Sequence, residues 1–141
     1  MADPQKTLKR NFFQRLFGKP ATKLPLDETC WKYADEEIVI DLDRAPELSQ
    51  PGRGIRLESD CCPERVLVIH GDDGRFHAFP NRCTHGKRRL DPVPGAFTVQ
   101  CCSIGKSTFD YEGNLLAGSA KESIAPLAVE QTEGKLRIKL S

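Results

Sequence analysis

The sequence predicts an all-β fold: short antiparallel strands closed into a sandwich or barrel, preceded by a short basic helix. Three observations carry this expectation. Short apolar and β-branched runs recur from about residue 36 to the end. Glycine-bearing turns separate them at close intervals, which is how hairpins are written in sequence. The chain has 141 residues, so one domain with one main core is the natural count.

The runs justify the strands in order. "EEIVIDL" is a β-branched apolar run and "GIRLE" a short strand candidate. "RVLVIHG" and "RFHAF" flank "GDDG", Gly71 to Gly74, as the two arms of a hairpin. "FTVQ" leads into a double cysteine. "STFD" and "NLLA" flank Tyr111–Glu112–Gly113, and "LAVEQ" and "KLRIKL" flank Thr132–Glu133–Gly134. "DRAPELSQPG", Asp43 to Gly52, reads as a polar loop with one helical turn. Val66, Val68, Phe76, Phe79, Phe109 and Ile138 are the expected core.

Residues 1–24 differ from residues 25–141 and are expected to form a separate segment. They carry Lys6, Lys9, Arg10, Arg15, Lys19 and Lys23 against one acid, Asp3. Leu8, Phe12, Phe13, Leu16 and Phe17 recur at helical spacing as one apolar face, and Pro20 after Gly18 should end the helix. Two readings follow. The face packs on its own domain, or the basic amphipathic segment docks a partner protein or a membrane surface.

Composition excludes several classes. The formal net charge is +1, too small for a global field that recruits nucleic acid. No apolar run is long enough for a transmembrane helix, and no secretory h-region is present. A cytoplasmic location is therefore expected, with thiols kept reduced. Six cysteines are many for such a protein, and four lie in adjacent pairs, Cys61–Cys62 and Cys101–Cys102. In a reducing compartment such clustering points to metal before disulfide.

Cys83 and His85 flank the single residue Thr84. A thiolate and an imidazole that close suit iron or zinc. After the 15 residues Gly86 to Gln100, a second strand delivers Cys101 and Cys102 to a second loop. Two loops at the tips of hairpins can pinch one metal centre.

In order and spacing this stretch resembles the cluster-binding region of Rieske [2Fe-2S] proteins, whose pattern is Cys-x-His, a spacer, then Cys-x-x-His. "FHAFPNRCTHG" resembles the first loop and its lead-in strand. "STFDYEGNLLAGSA" resembles the strand after the second loop, and "IAPLAVEQTEGKLRIKL" the closing hairpin. The resemblance runs from about Glu36 to Leu140. It implies a Rieske-type antiparallel β-sandwich with a two-loop tip. It also implies a [2Fe-2S] cluster with two cysteines on one iron and two histidines on the other.

The second histidine is missing. Counted back from Phe109–Asp110, the second-loop cysteine is Cys102 and the histidine position falls on Gly105. Counted from Cys101, it falls on Ile104. No histidine follows His85. His77 and His70 read as strand residues, and Lys106 and Ser107 are weak substitutes. The simplest complete donor set is Cys83, His85, Cys101 and Cys102, which satisfies a [2Fe-2S] cluster or Zn²⁺ equally. Adjacent residues on a strand point to opposite faces, so both cysteines reach one centre only if the chain kinks there. The competing readings are a site without metal, including one closed by a Cys83–Cys102 disulfide, and mononuclear iron.

Cys61–Cys62 reads as an incidental pair and Cys30 as packing. Lys87 to Arg89 form a basic rim suited to steering an acidic redox partner. With a cluster, the expected role is one-electron transfer, as a ferredoxin-like carrier or the electron-delivery subunit of an oxygenase or reductase. A stand-alone enzyme is not expected. The chain holds no Ser-His-Asp set or nucleotide motif, and His70 and His77 alone make a poor basis for a mononuclear iron site. The competing class is a cluster-free binding module on the same scaffold.

Overall fold

The computed structural model describes residues 2–84 and 86–140. The strands are β1 (Trp31–Ala34), β2 (Glu37–Asp41), β3 (Arg53–Leu57), β4 (Val66–His70), β5 (Phe76–Pro80), β6 (Leu90–Val93), β7 (Thr98–Cys101), β8 (Thr108–Asp110), β9 (Leu115–Ala117), β10 (Ala128–Thr132) and β11 (Lys135–Lys139). They form three sheets, in the orders β1-β2-β11-β10, β3-β4-β5 and β6-β7-β8-β9, and every paired neighbour is antiparallel. The expected all-β fold and its hairpins are present.

The period-2 alternation of β4 organises the interior. Val66 and Val68 enter one core with Ile38, Ile40, Leu136 and Ile138. Leu67 and Ile69 enter the other with Phe79, Leu90, Val99 and Phe109. The sheet β3-β4-β5 is thus covered on both faces, which is why "VLVI" reads as an unbroken apolar run. Of the expected core residues, only Phe76 is less than fully buried. The Gly71–Arg75 turn closes the β4–β5 hairpin through Gly71 N–H to Arg75 O at 2.8 Å, with Gly74 at φ 80°.

Two strands have no clear signature. In β1, "WKYA" pairs with β2 but lacks an apolar run. β6 contains Pro92, which removes a ladder donor. It is tolerated because β6 is the edge of its sheet. The 43–52 loop winds into two short 3₁₀ turns, Leu42–Arg44 and Pro46–Leu48.

The N-terminal segment corrects the helical reading. Its helix, α1, is only Phe12–Leu16. Asn11 and Gln14 cap it reciprocally, each side-chain oxygen accepting from the other's backbone N–H, at 2.8 and 3.0 Å. Leu8 lies outside it. The apolar side chains do not pack inward: Phe12, Phe13, Leu16 and Phe17 are 63%, 67%, 43% and 65% exposed, while Arg15 is 5% exposed. One turn of helix buries one side, and here that side carries the guanidinium, because backbone carbonyls and not apolar atoms line the surface beneath it.

One ion-pair group braces the loop region. Arg89 grips Glu58 with Nε to Oε2 at 2.6 Å and Nη2 to Oε1 at 2.8 Å, and Arg56 Nη1 lies 3.1 Å from Glu58 Oε2. The hydrogen bond from Arg89 holds the Glu58 carboxyl below the usual carboxylate range. A depressed folded-state pKa means that the contribution is present at neutral pH and is lost as pH falls through that value. Glu58→Gln is expected to cost about 1 kcal/mol near pH 7, the group being part-exposed. In urea melts the gap from wild type should close as pH falls through the lowered Glu58 pKa. A gap independent of pH would count against the charged pairing.

Candidate metal centre

The first loop follows β5. Asn81 roots it: its N–H donates to Arg65 O at 2.7 Å and its Oδ1 accepts from Leu90 N–H at 2.8 Å. The Cys83 N–H bonds Arg88 O at 2.7 Å and Cys83 O accepts from Lys87 N–H at 2.8 Å, with Lys87 at φ 56°. Thr84 Oγ1 ties the loop to Glu122 O at 2.7 Å. Cys83 is fully buried. His85 lies outside the described residues.

The second loop opens where β7 ends. Cys101 N–H donates to Ser107 O at 2.7 Å, and the Ser103–Lys106 turn closes at 3.2 Å with Lys106 at φ 49°. Cys102 N–H reaches Arg89 O at 3.0 Å, which joins the second loop to the end of the first. Gly105 sits against the chain after β9, where a Cβ would fall 2.0 Å from Ser119 Oγ.

The two loops bring Cys83, Cys101 and Cys102 together. Cys101 lies in the middle, hydrogen-bonded to Cys102 and to Cys83, with Ser103 Oγ at 3.1 Å. Cys101 is the last residue of β7, and the Cys102 N–H still pairs with Arg89 O beyond the start of β6. Cys101 and Cys102 are each 2% exposed. Their mutual hydrogen bond is the main influence on both. It raises the Cys101 thiol and lowers that of Cys102. Cys102 Sγ also donates to Gly18 O at 3.2 Å. Across the loops the Cys83 thiol is hydrogen-bonded to Cys101.

The other sequence candidates lie elsewhere. His70 Nδ1 faces Leu48 O at 2.9 Å, and His77 Nε2 faces Asp73 Oδ2 at 2.9 Å while its ring stacks on Tyr111. Both are near the turn at the far end of β5 from Cys83. Ser107 Oγ accepts from Ala120 N–H, and Ile104, which carries no donor atom, is 48% exposed. Cys62 packs in the other core, Cys61 is exposed, and burial pushes the Cys30 thiol up to about 11.

The donor chemistry does not fit a cluster held by two cysteines and two histidines, because no second imidazole is near. It fits a thiolate-rich centre. Among the described residues the thiols form a hydrogen-bonded row, Cys83–Cys101–Cys102, and no closed group of metal donors. Sequence reasoning found these cysteines but missed Arg15, whose guanidinium donates to Cys101 O and Ser103 O. At about 100° per residue Arg15 falls outside the arc of Phe12, Phe13, Leu16 and Phe17, so the apolar pattern gave no signal for it.

Comparison with known proteins matches residues 40–129 to the Rieske [2Fe-2S] domain. The glycine betaine monooxygenase oxygenase subunit of Chromohalobacter salexigens is 29% identical in an alignment of 101 positions that covers 64% of this chain and 23% of that protein. A quaternary ammonium Rieske monooxygenase, CntA, solved with L-carnitine, is 25% identical with a TM-score of 0.53, over 68% of this chain and 30% of that one. The chain spans less than a third of either relative's length. The ferredoxin of carbazole 1,9a-dioxygenase from Nocardioides aromaticivorans IC177 has a TM-score of 0.59 at 22% identity, over 73% of this chain and 95% of that one. That last likeness is one of fold.

Proposed function

The chain belongs to the Rieske [2Fe-2S] domain family, and from that premise we propose that it carries single electrons, as a small ferredoxin-like protein or a redox subunit. Cys83, His85, Cys101 and Cys102 would hold the cluster. The meeting of three buried thiols at the two family loops is the observation that carries this reading. A bound [2Fe-2S] cluster supplies a one-electron couple. The chain's own contribution is to exclude water and fix the thiols. Leu90, Val99 and Phe109 wall the site from one side, and backbone hydrogen bonds hold Cys83, Cys101 and Cys102 in place.

Exchanging a neutral imidazole for a thiolate adds one negative charge. Two-histidine centres span roughly −150 to +300 mV and plant-type all-cysteine clusters lie near −400 mV. This chain should fall below a two-histidine centre in the same fold. The redox partner would be an acidic protein meeting the exposed Lys87, Arg88 and Lys106 around the loops. Thiols held reduced in this way suit the cytoplasm.

The test is anaerobic purification, with iron, zinc and acid-labile sulfide measured per chain and a redox titration of the same sample. Two irons and two sulfides are expected, with a midpoint below 0 mV and oxidation by ferricyanide that slows as salt rises. Stoichiometric zinc without sulfide would replace the carrier by a zinc-binding variant. No metal would leave a binding module on the family scaffold. A midpoint well above 0 mV would exclude three thiolate ligands, and a rate insensitive to salt would remove the basic rim from the proposal.

A further inference from the structure

Arg15 is a buried cation in a segment that precedes the matched residues 40–129. Its contacts are almost all to one loop. Nη1 donates to Cys101 O at 3.4 Å and Ser103 O at 3.3 Å. Nη2 donates to Gln100 Oε1 at 3.0 Å and to Leu8 O at 2.6 Å. Nε is buried and has no acceptor among the described residues. Arg15 makes no ion pair among those residues. The one buried carboxylate nearby, Asp91, is held by the Ala21 and Thr22 amides at 2.9 and 2.8 Å.

The segment that carries Arg15 is fastened to the same loops. Leu8 N–H donates to Gln100 Oε1 at 3.3 Å, and Gly18 O accepts from Cys102 Sγ at 3.2 Å. The Arg88 side chain fills the space beside Gly18, where a Cβ would lie 1.9 Å from Arg88 Nη1. The chain from Leu8 to Gly18 is a strap laid over the back of the second cysteine loop.

A guanidinium stays charged in any protein environment. Burying one without an anion is costly, so arginine is seldom fully buried unless paired. Here carbonyl dipoles satisfy most of its donors, and Asp91 attracts its charge without forming an ion pair, followed by Cys102 and Cys101. The groups just beyond those carbonyls are Cys101 and Cys102. An extra thiolate in the centre would add a negative charge on the loop side of the guanidinium, beside that of Asp91.

We propose that Arg15 is the countercharge of the cysteine centre, carried in by the N-terminal strap to offset the thiolate that stands in for the second histidine. The inference rests on the cluster reading above. A fixed positive charge in a low-dielectric site favours the more negative, reduced state. Arg15 therefore raises the potential that the third thiolate lowers.

The test uses full-length protein and compares wild type with Arg15→Gln, Arg15→Lys and Gln100→Glu. Each is assayed for iron, acid-labile sulfide, midpoint potential and thermal unfolding. Arg15→Gln should keep iron and sulfide and shift the midpoint down. Arg15→Lys, which retains the charge, should stay closer to wild type. Gln100→Glu neutralises the guanidinium without removing it, and should shift the midpoint down even if Arg15→Gln does not fold. Loaded, folded Arg15→Gln or Gln100→Glu protein with the wild-type midpoint would overturn the countercharge and leave Arg15 a purely structural anchor. Wild type without iron would instead overturn the cluster reading, and the countercharge with it.

Discussion

Cys101→Ser is expected to strip iron and acid-labile sulfide from the protein while leaving the fold in place. Cys101 is the middle of the thiol row, in contact with both Cys83 and Cys102. A hydroxyl is a far poorer ligand for iron than a thiolate, yet it can use the Ser103 Oγ partner that Cys101 Sγ now has at 3.1 Å. The cost in stability should be limited to about 1–3 kcal/mol, the scale for a buried hydroxyl with partial compensation. Cys102→Ser should also lose the cluster if Cys102 completes the donor set. Iron analysis and visible absorption of the two variants separate the cases. Full retention by Cys102→Ser would send the search for the fourth donor elsewhere, and full retention by Cys101→Ser would overturn the assignment of Cys101.

The largest effect on stability is expected at Phe109. Its ring is fully buried in the core that also holds Leu67, Ile69, Phe79 and Val99, and Cys83 and Cys101 belong to the same cluster. Phe109→Ala removes the ring and leaves a cavity beneath the loops, at a cost of about 3–5 kcal/mol. Equilibrium urea unfolding of metal-free protein reads this directly. The more conservative Phe109→Leu should retain most of the stability. A loss under about 1 kcal/mol for the alanine variant would mean that the site collapses and that the ring is not a keystone of this core.

The hairpins were legible because their two signals are local: alternation along each arm and glycine in the turn. β6 was not. Pro92 argues against a strand unless the edge position of β6 is known, and sheet order is a tertiary fact. For the helical face two directions are legible in the sequence, inward onto the domain or outward to a partner or membrane, and the structure turns Phe12, Phe13, Leu16 and Phe17 outward and leaves Leu8 outside the helix. Spacing places side chains around an axis but does not say which side meets the protein, and a surface of carbonyls selected Arg15 over the phenylalanines. The cysteine register was undecided for a similar reason. Counting back from Phe109 assumes no extra residue in the second loop. The chain turns at Ser103–Lys106, with Lys106 at φ 49°, and Cys101 is hydrogen-bonded to both Cys83 and Cys102.

The strap also has a consequence for the order of assembly. Arg15 and Cys101 are 86 residues apart in sequence, and the carbonyls that Arg15 grips converge only once the second loop has folded. Contacts of such long sequence separation carry a loop-closure cost that must be met before they reward the chain. The strap is therefore expected to be the last piece to close during refolding, with its amides the last to gain protection in pulsed hydrogen exchange; early protection would place it in the nucleus instead. Until it closes, Cys102 Sγ lacks its Gly18 O partner and the Cys101 carbonyl lacks Arg15, so under the proposed function a cluster would be loaded before the strap is in place.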